Sequence, residues 1–306
     1  MRTTLSMAIL TTGCLLATTG CRTRNAPSSV ADRFSGEHAL EQVARFVDLG
    51  DRVSGTPGAA RAADWLANEL KALGIETGVD AFTDDAPGGP TVFRNVIGRI
   101  PGRTRERVLL ISHYDTKAGI ENFVGANDSG SSTGLLLEFA RVMRAADAPP
   151  YPFDVWLCFV DGEECVHRYG PNDGLHGSRR LAESVLHDGA PLPKAAIVVD
   201  MVGDRCLNLT IPPNSTPHLA RQAMTSARRL KLDPYVTFGS YAVIDDHIPF
   251  LERGLPALLL IDFEFGSAPG LNDYWHTPED TMDKLSARSL DITGRIVLDL
   301  IETLGQ

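Results

Sequence analysis

Apolar positions recur along the chain with two periods, and the switches between them predict its elements. Leu40, Val43, Phe46 and Val47 fall on one helical face, and Ala59, Ala63, Leu66, Leu70 and Leu73 repeat at spacings of four and three. Pro57 stands near the start of the second pattern, where a helix tolerates a missing N–H. Beyond them, β-rich runs at 92–100, 107–112, 154–160, 195–199, 207–211 and 257–263 alternate with helical patterns at 135–143, 180–186, 217–230 and 290–304. That alternation predicts an α/β sandwich whose central sheet is mixed or largely parallel. No internal repeat or second linker interrupts it, so residues 34–306 read as one domain.

The first residues follow a different pattern. Arg2 precedes an apolar stretch, 7–17, too short to span a bilayer but suited to the core of a secretory signal. Thr18-Thr19-Gly20-Cys21 then resembles a bacterial lipobox, with Thr18 where leucine is usual. The expectation is a signal peptide over 1–20, a lipidated Cys21 and polar tether over 21–33, and an exported cell-envelope lipoprotein; a plain secretory signal is the alternative. Nothing later is apolar for long enough to cross a membrane, so the lipid anchor is the only expected membrane contact.

Composition narrows the partners. With 29 Lys and Arg against 39 Asp and Glu, the net charge is −10 and no long basic run offsets it. Nucleic acid and anionic lipid are therefore poor candidate partners. The hydrophobic share, 43%, supports a sizeable core, and five cysteines are too few for a disulfide scaffold and lack zinc-finger spacing.

Open α/β sheets bind ligands beyond the carboxyl ends of their strands. Here those ends are polar: His113-Tyr114-Asp115, Asp161-Gly162-Glu163-Glu164, Asp200 and, after a long loop, Trp275-His276-Thr277. Asn127-Asp128 precedes a Gly/Ser-rich helix entry, and Asp245-Asp246 precedes His247. Any one of these alone reads as a cap or turn residue. Together, so many carboxylates at one edge would repel unless protons or a cation lay between them, and carboxylates with imidazoles but no thiolate suit zinc in an open, catalytic site. In the doubled Glu163-Glu164, one carboxylate can ligate metal while its neighbour moves a proton.

The blocks His113-Tyr114-Asp115-Thr116-Lys117, Gly125-Ala126-Asn127-Asp128-Ser129, Asp161-Gly162-Glu163-Glu164, Asp173-Gly174-Leu175-His176-Gly177-Ser178-Arg179, Asp245-Asp246-His247-Ile248-Pro249-Phe250-Leu251 and Trp275-His276-Thr277 resemble those of the animal-type glutaminyl-peptide cyclotransferases, within the M28 zinc aminopeptidase superfamily. The resemblance implies a three-layer α/β/α sandwich of the zinc exopeptidase type. It implies one zinc held by Asp128, Glu164 and His276, with Glu163 as general acid/base and Asp200 and Asp245 sharing protons beside it. Trp275 and Tyr169, the latter a tryptophan in the animal enzymes, would line the substrate pocket, and the substrates would be peptide or protein N-termini bearing glutamine. In the animal enzymes a disulfide joins the positions of Ser112 and Thr133, so that bridge is missing here. Cys158, Cys165 and Cys206 are an odd set, leaving at least one thiol unpaired within the chain. The loop 262–274 is longer than in the animal proteins and is expected to reshape the pocket mouth.

Two rivals remain. An aminopeptidase of the same superfamily would hold two zinc ions, using His113 and Asp200 as extra ligands with Asp128 bridging; the Asp245–Leu251 block and Trp275 favour cyclisation. A serine hydrolase would use Ser132 within Gly130-Ser131-Ser132-Thr133-Gly134, but that motif needs a strand leading into the serine, and 123–128 reads as loop. Residues Ser129 to Ser132 are instead expected to cap a helix, as is Asp246. His38, His187 and His218 are expected in solvent, His167 outside the metal site, and His247 orienting the loop that carries Asp245.

Overall fold

A computed structural model describes residues 29–304, apart from 147 and 149; the expected signal peptide and Cys21 lie outside the described residues. The sheet has eight strands: β1 (Glu76–Ala86), β2 (Gly89–Ile100), β3 (Arg107–His113), β4 (Asp154–Val160), β5 (Ala195–Asp200), β6 (Leu209–Ile211), β7 (Val236–Phe238) and β8 (Ala257–Ile261). Their order is β1-β2-β4-β3-β5-β8-β6-β7. β4, β3, β5 and β8 are parallel, and β2 pairs antiparallel with β4, as β6 does with β8. The central four strands therefore end at one edge.

Alternation within those strands sorts the two layers. Val108 and Leu110, Ile197 and Val199, and Leu258 and Leu260 join one core with helices α1 (Gly36–Val47), α2 (Pro57–Ala72), α3 (Ser132–Met143), α5 (Pro217–Leu230) and α7 (Ala287–Leu304). Leu109 and Ile111, Val198, and Leu259 and Ile261 join a second with α4 (His176–His187) and α6 (Ile248–Glu252). The result is the expected three-layer sandwich. Ser35 and Thr56 cap α1 and α2 by accepting from His38 N and Ala59 N, and Pro57 opens α2.

Several local expectations change. β1 was not legible: Glu76, Asp80, Asp84 and Asp85 crowd an outer strand with few apolar positions. Val30 and Ala31, expected in the tether, are buried in the core. Ser131 precedes α3 but its side chain makes no capping bond; its hydroxyl donates to Asn127 O and accepts from Val202 N. Asp246 does not cap α6, which starts from His247. His38 is half-buried, with Nδ1 2.6 Å from the buried Glu138, rather than solvated; His187 and His218 are exposed.

Candidate active site

Each parallel strand delivers part of the site. His113 ends β3, Glu163 and Glu164 follow β4, and Asp200 ends β5. Asp128 lies in the tight turn before α3, and His276 in the loop after β8. Two donor sets form, His113/Asp128/Asp200 and Asp128/Glu164/His276, and Asp128 belongs to both. His276 Nε2 lies 3.0 Å from Glu164 Oε1 and 3.2 Å from Asp128 Oδ2. His113 Nε2 lies 3.1 Å from Asp128 Oδ1 and 3.3 Å from Asp200 Oδ1. Donors around a tetrahedral zinc, each ~2.0–2.1 Å from the ion, stand roughly 3.3 Å apart, so this spacing fits. The buried His113 Nε2 and Asp200 Oδ1 also make no hydrogen bond, consistent with atoms that converge on a shared cation.

The ligand positions are braced by carboxylates acting on backbone. Asp280 accepts from Asn127 N at 2.7 Å and Asp128 N at 3.0 Å. Asp115 accepts from Glu163 N and Glu164 N, both at 3.2 Å. Arg52, fully buried, donates to the carbonyls of Gly50, Tyr114, Val124 and Gly125 and so ties the loops beside His113 and Asp128 together. His276 adopts φ 53°, a conformation that bulky residues rarely take; its ring is held by stacking on Trp275 at 3.9 Å.

A cavity of about 280 Å³ opens onto this edge, with Glu163, Asp200 and Asp245 in its floor and Tyr169, Phe263 and Trp275 in its walls. Tyr241, Val243 and Ile244 form part of the rim. Burial pushes the Glu163 carboxyl well above its ordinary range; the His113 charge opposes this, and Glu164, Asp245 and Asp246 add to it. Asp245 is likewise raised, by burial and then by Asp200. Burial disfavours the charged form of His276, but Asp128 and Glu164 outweigh it and carry its pKa up to about 9.

All nine residues singled out in the sequence meet here: Glu163, Asp200, Asp245, Trp275, Tyr169, Asp128, Glu164, His276 and His113. No hydrogen bond links Asp245 directly to Asp200 or Glu163 among the described residues; the direct partner of Glu163 is the Tyr169 hydroxyl, at 2.8 Å. The His247 ring makes no hydrogen bond among the described residues, since both of its nitrogens are buried without partners. His167 is exposed and outside both donor sets. The serine-hydrolase arrangement is absent: Ser132 is buried, accepts from Ser112 Oγ and donates to Ser129 O, with no strand running into it. Cys158, Cys165 and Cys206 are free. The long loop after β8 supplies Phe263 to the pocket wall, against Trp275 at 5.0 Å, and closes on itself through Phe265 and Tyr274. Asp280 and Arg52 were missed, because a group that works by holding backbone carries no motif; the nearness of Asp280 to His276 was the available clue.

The model of peptidase family M28 matches residues 95–301, and the chain belongs to that family. It is 33% identical, over 287 residues, to a glutaminyl-peptide cyclotransferase-like protein of Bos taurus, covering 83% of this chain and 72% of that one. The crystal structure of an Acidobacteriales bacterium glutaminyl cyclase superposes with a TM-score of 0.84 at 37% identity, covering 92% of this chain and 97% of the other. A Porphyromonas gingivalis glutaminyl cyclase gives 0.78 at 28% identity, covering 88% and 98%.

Proposed function

We propose that this chain is a zinc-dependent glutaminyl-peptide cyclotransferase, closing the N-terminal glutamine of peptides to pyroglutamate with release of ammonia. The observation that carries the reading is the placement of Glu163. It is 5% exposed, lines the buried end of the pocket, and adjoins the Asp128/Glu164/His276 donor set. The named relatives support it.

Asp128, Glu164 and His276 would hold the zinc, which supplies Lewis acidity to the side-chain amide carbonyl. Glu163 takes a proton from the substrate α-amine as nitrogen closes on the amide carbon, then returns one to the departing ammonia. Burial raises its pKa, which makes the carboxylate a stronger base toward the amine than a solvated glutamate would be. Trp275, Phe263 and Tyr169 exclude water, so that the tethered amine outcompetes hydrolysis. Replacing Glu163→Gln should leave metal and fold in place and lower ammonia release by ~10²-fold or more; near-normal release would remove Glu163 from the mechanism.

One observation favours the di-zinc aminopeptidase as a second reading: Asp200 stays within reach of His113 and Asp128, instead of being drawn off by Asp245. Metal stoichiometry and product analysis separate the two. For location, the lipobox-like Cys21 supports an exported, lipid-anchored protein.

A further inference from the structure

The net charge of −10 conceals a segregation. At the opposite pole from the site, where the parallel strands begin, Arg99, Arg105, Arg107 and Arg144 line one depression, with Arg103 exposed beside it. Three carboxylates share that depression, but each is already engaged: Glu76 with Arg99 at 3.0 Å, Asp188 with Arg107, and Asp154 accepting from Gly102 N at 2.7 Å. Arg103, Arg105 and Arg144 make no ion pair among the described residues; the guanidinium groups of Arg103 and Arg144 donate to the carbonyls of Pro150 and Gly74.

The described chain enters at this same pole. Val30 N donates to Glu302 Oε1 at 3.2 Å, and Arg33 O accepts from Arg141. The Tyr151 phenol lies within the fields of Glu302 and Arg33, while its carbonyl accepts from Arg103 N at 2.9 Å. Eight residues, 22–29, separate Cys21 from Val30, a span of at most about 30 Å.

We propose that this arginine pole docks on an anionic phospholipid surface, with the catalytic pocket turned away from the bilayer. Guanidinium forks match lipid phosphates, and the short tether keeps the pole near them. The acidic groups of the distant site do not cancel the attraction, because charges beyond the screening length of about 8–10 Å are largely hidden at physiological salt. The expectation drawn from net acidity concerns the average charge, whereas a lipid surface would meet this one face.

The test is sedimentation of the full chain with vesicles of phosphatidylcholine alone or mixed with phosphatidylglycerol. An arginine near an anionic surface adds about fivefold, so three should give roughly a hundredfold preference for the mixed vesicles at low salt. The preference should collapse at high salt and in an Arg103→Gln/Arg105→Gln/Arg144→Gln variant. Equal binding to both vesicles, or an undiminished preference in the triple variant, would overturn the proposal. Retention on a soluble polyanion without any vesicle preference would overturn it in favour of a macromolecular partner. None of these readings depends on catalytic turnover, so their failure is distinct from failure of the cyclase assignment. They also compare lipids with the same N-terminal segment present, so the anchor alone cannot produce the difference.

Discussion

The Tyr169 hydroxyl donates to Glu163 Oε1 at 2.8 Å, joining the wall of the pocket to its proposed acid/base. A donor to a carboxylate favours the ionised form, and such a bond contributes ~1.5–3 kcal/mol. Tyr169→Phe should therefore raise the Glu163 pKa further and move the acidic limb of the kcat/KM profile to higher pH. Turnover at neutral pH should fall about tenfold or more. An unchanged profile would mean that Tyr169 only fills space.

Asp128 sits in both donor sets, which makes it the discriminating ligand. Asp128→Ala should abolish tight metal binding whichever reading holds, and Glu164→Ala or His276→Ala should weaken it sharply. If one zinc suffices, His113→Ala should leave about one zinc bound per chain. Plasma emission on dialysed protein supplies the stoichiometry.

Asp280 acts one step behind the metal by fixing the backbone of Asn127 and Asp128. Asp280→Ala leaves two buried N–H groups without acceptors and should lower zinc affinity by ~10–100-fold. Asp280→Asn, which keeps one acceptor, should lose less. Competition with a chromogenic chelator measures both.

The prediction for pH rests on His247, whose buried ring has its pKa lowered to about 4 by desolvation. In the unfolded chain the value is ~6.5. The folded state therefore binds fewer protons between these values, so this contribution to stability is complete above about pH 6.5 and drains away as pH falls toward 4. His247→Leu should flatten the loss of melting temperature across that window. An equally steep fall in the variant would assign the acid sensitivity elsewhere.

Ser112 Oγ and Thr133 Oγ1 lie 3.5 Å apart, where the resemblance to the animal enzymes places a disulfide. A Ser112→Cys/Thr133→Cys protein should form that bridge on oxidation. Closing a loop of this length stabilises by about 3 kcal/mol in the chain-entropy model; denaturant titration with and without reductant checks it.

The layered fold was legible because Val108 to Ile111 and Leu258 to Ile261 alternate between two apolar cores, and because α1 and α2 carry stripes at helical spacing. β1 was not, since an outer strand needs little apolar surface and gains its pairing from β2. The metal donors were legible as titratable residues at strand ends. What stayed hidden was the support: Asp280, Arg52 and, in its bracing role, Asp115 act on backbone amides and carbonyls contributed from distant loops. The arginine pole was hidden too, because Arg99 to Arg107 read as a mixed run until Arg144 joins it in space.

The central claim is that this pocket closes a ring and does not cut a chain. Purified, zinc-loaded protein given equal amounts of a glutamine-capped and a leucine-capped peptide provides the direct test, read by mass spectrometry. The account predicts that the glutamine peptide loses one ammonia and keeps its length, while the leucine peptide is left intact. Rapid release of free leucine, with the glutamine peptide shortened and not cyclised, would contradict it.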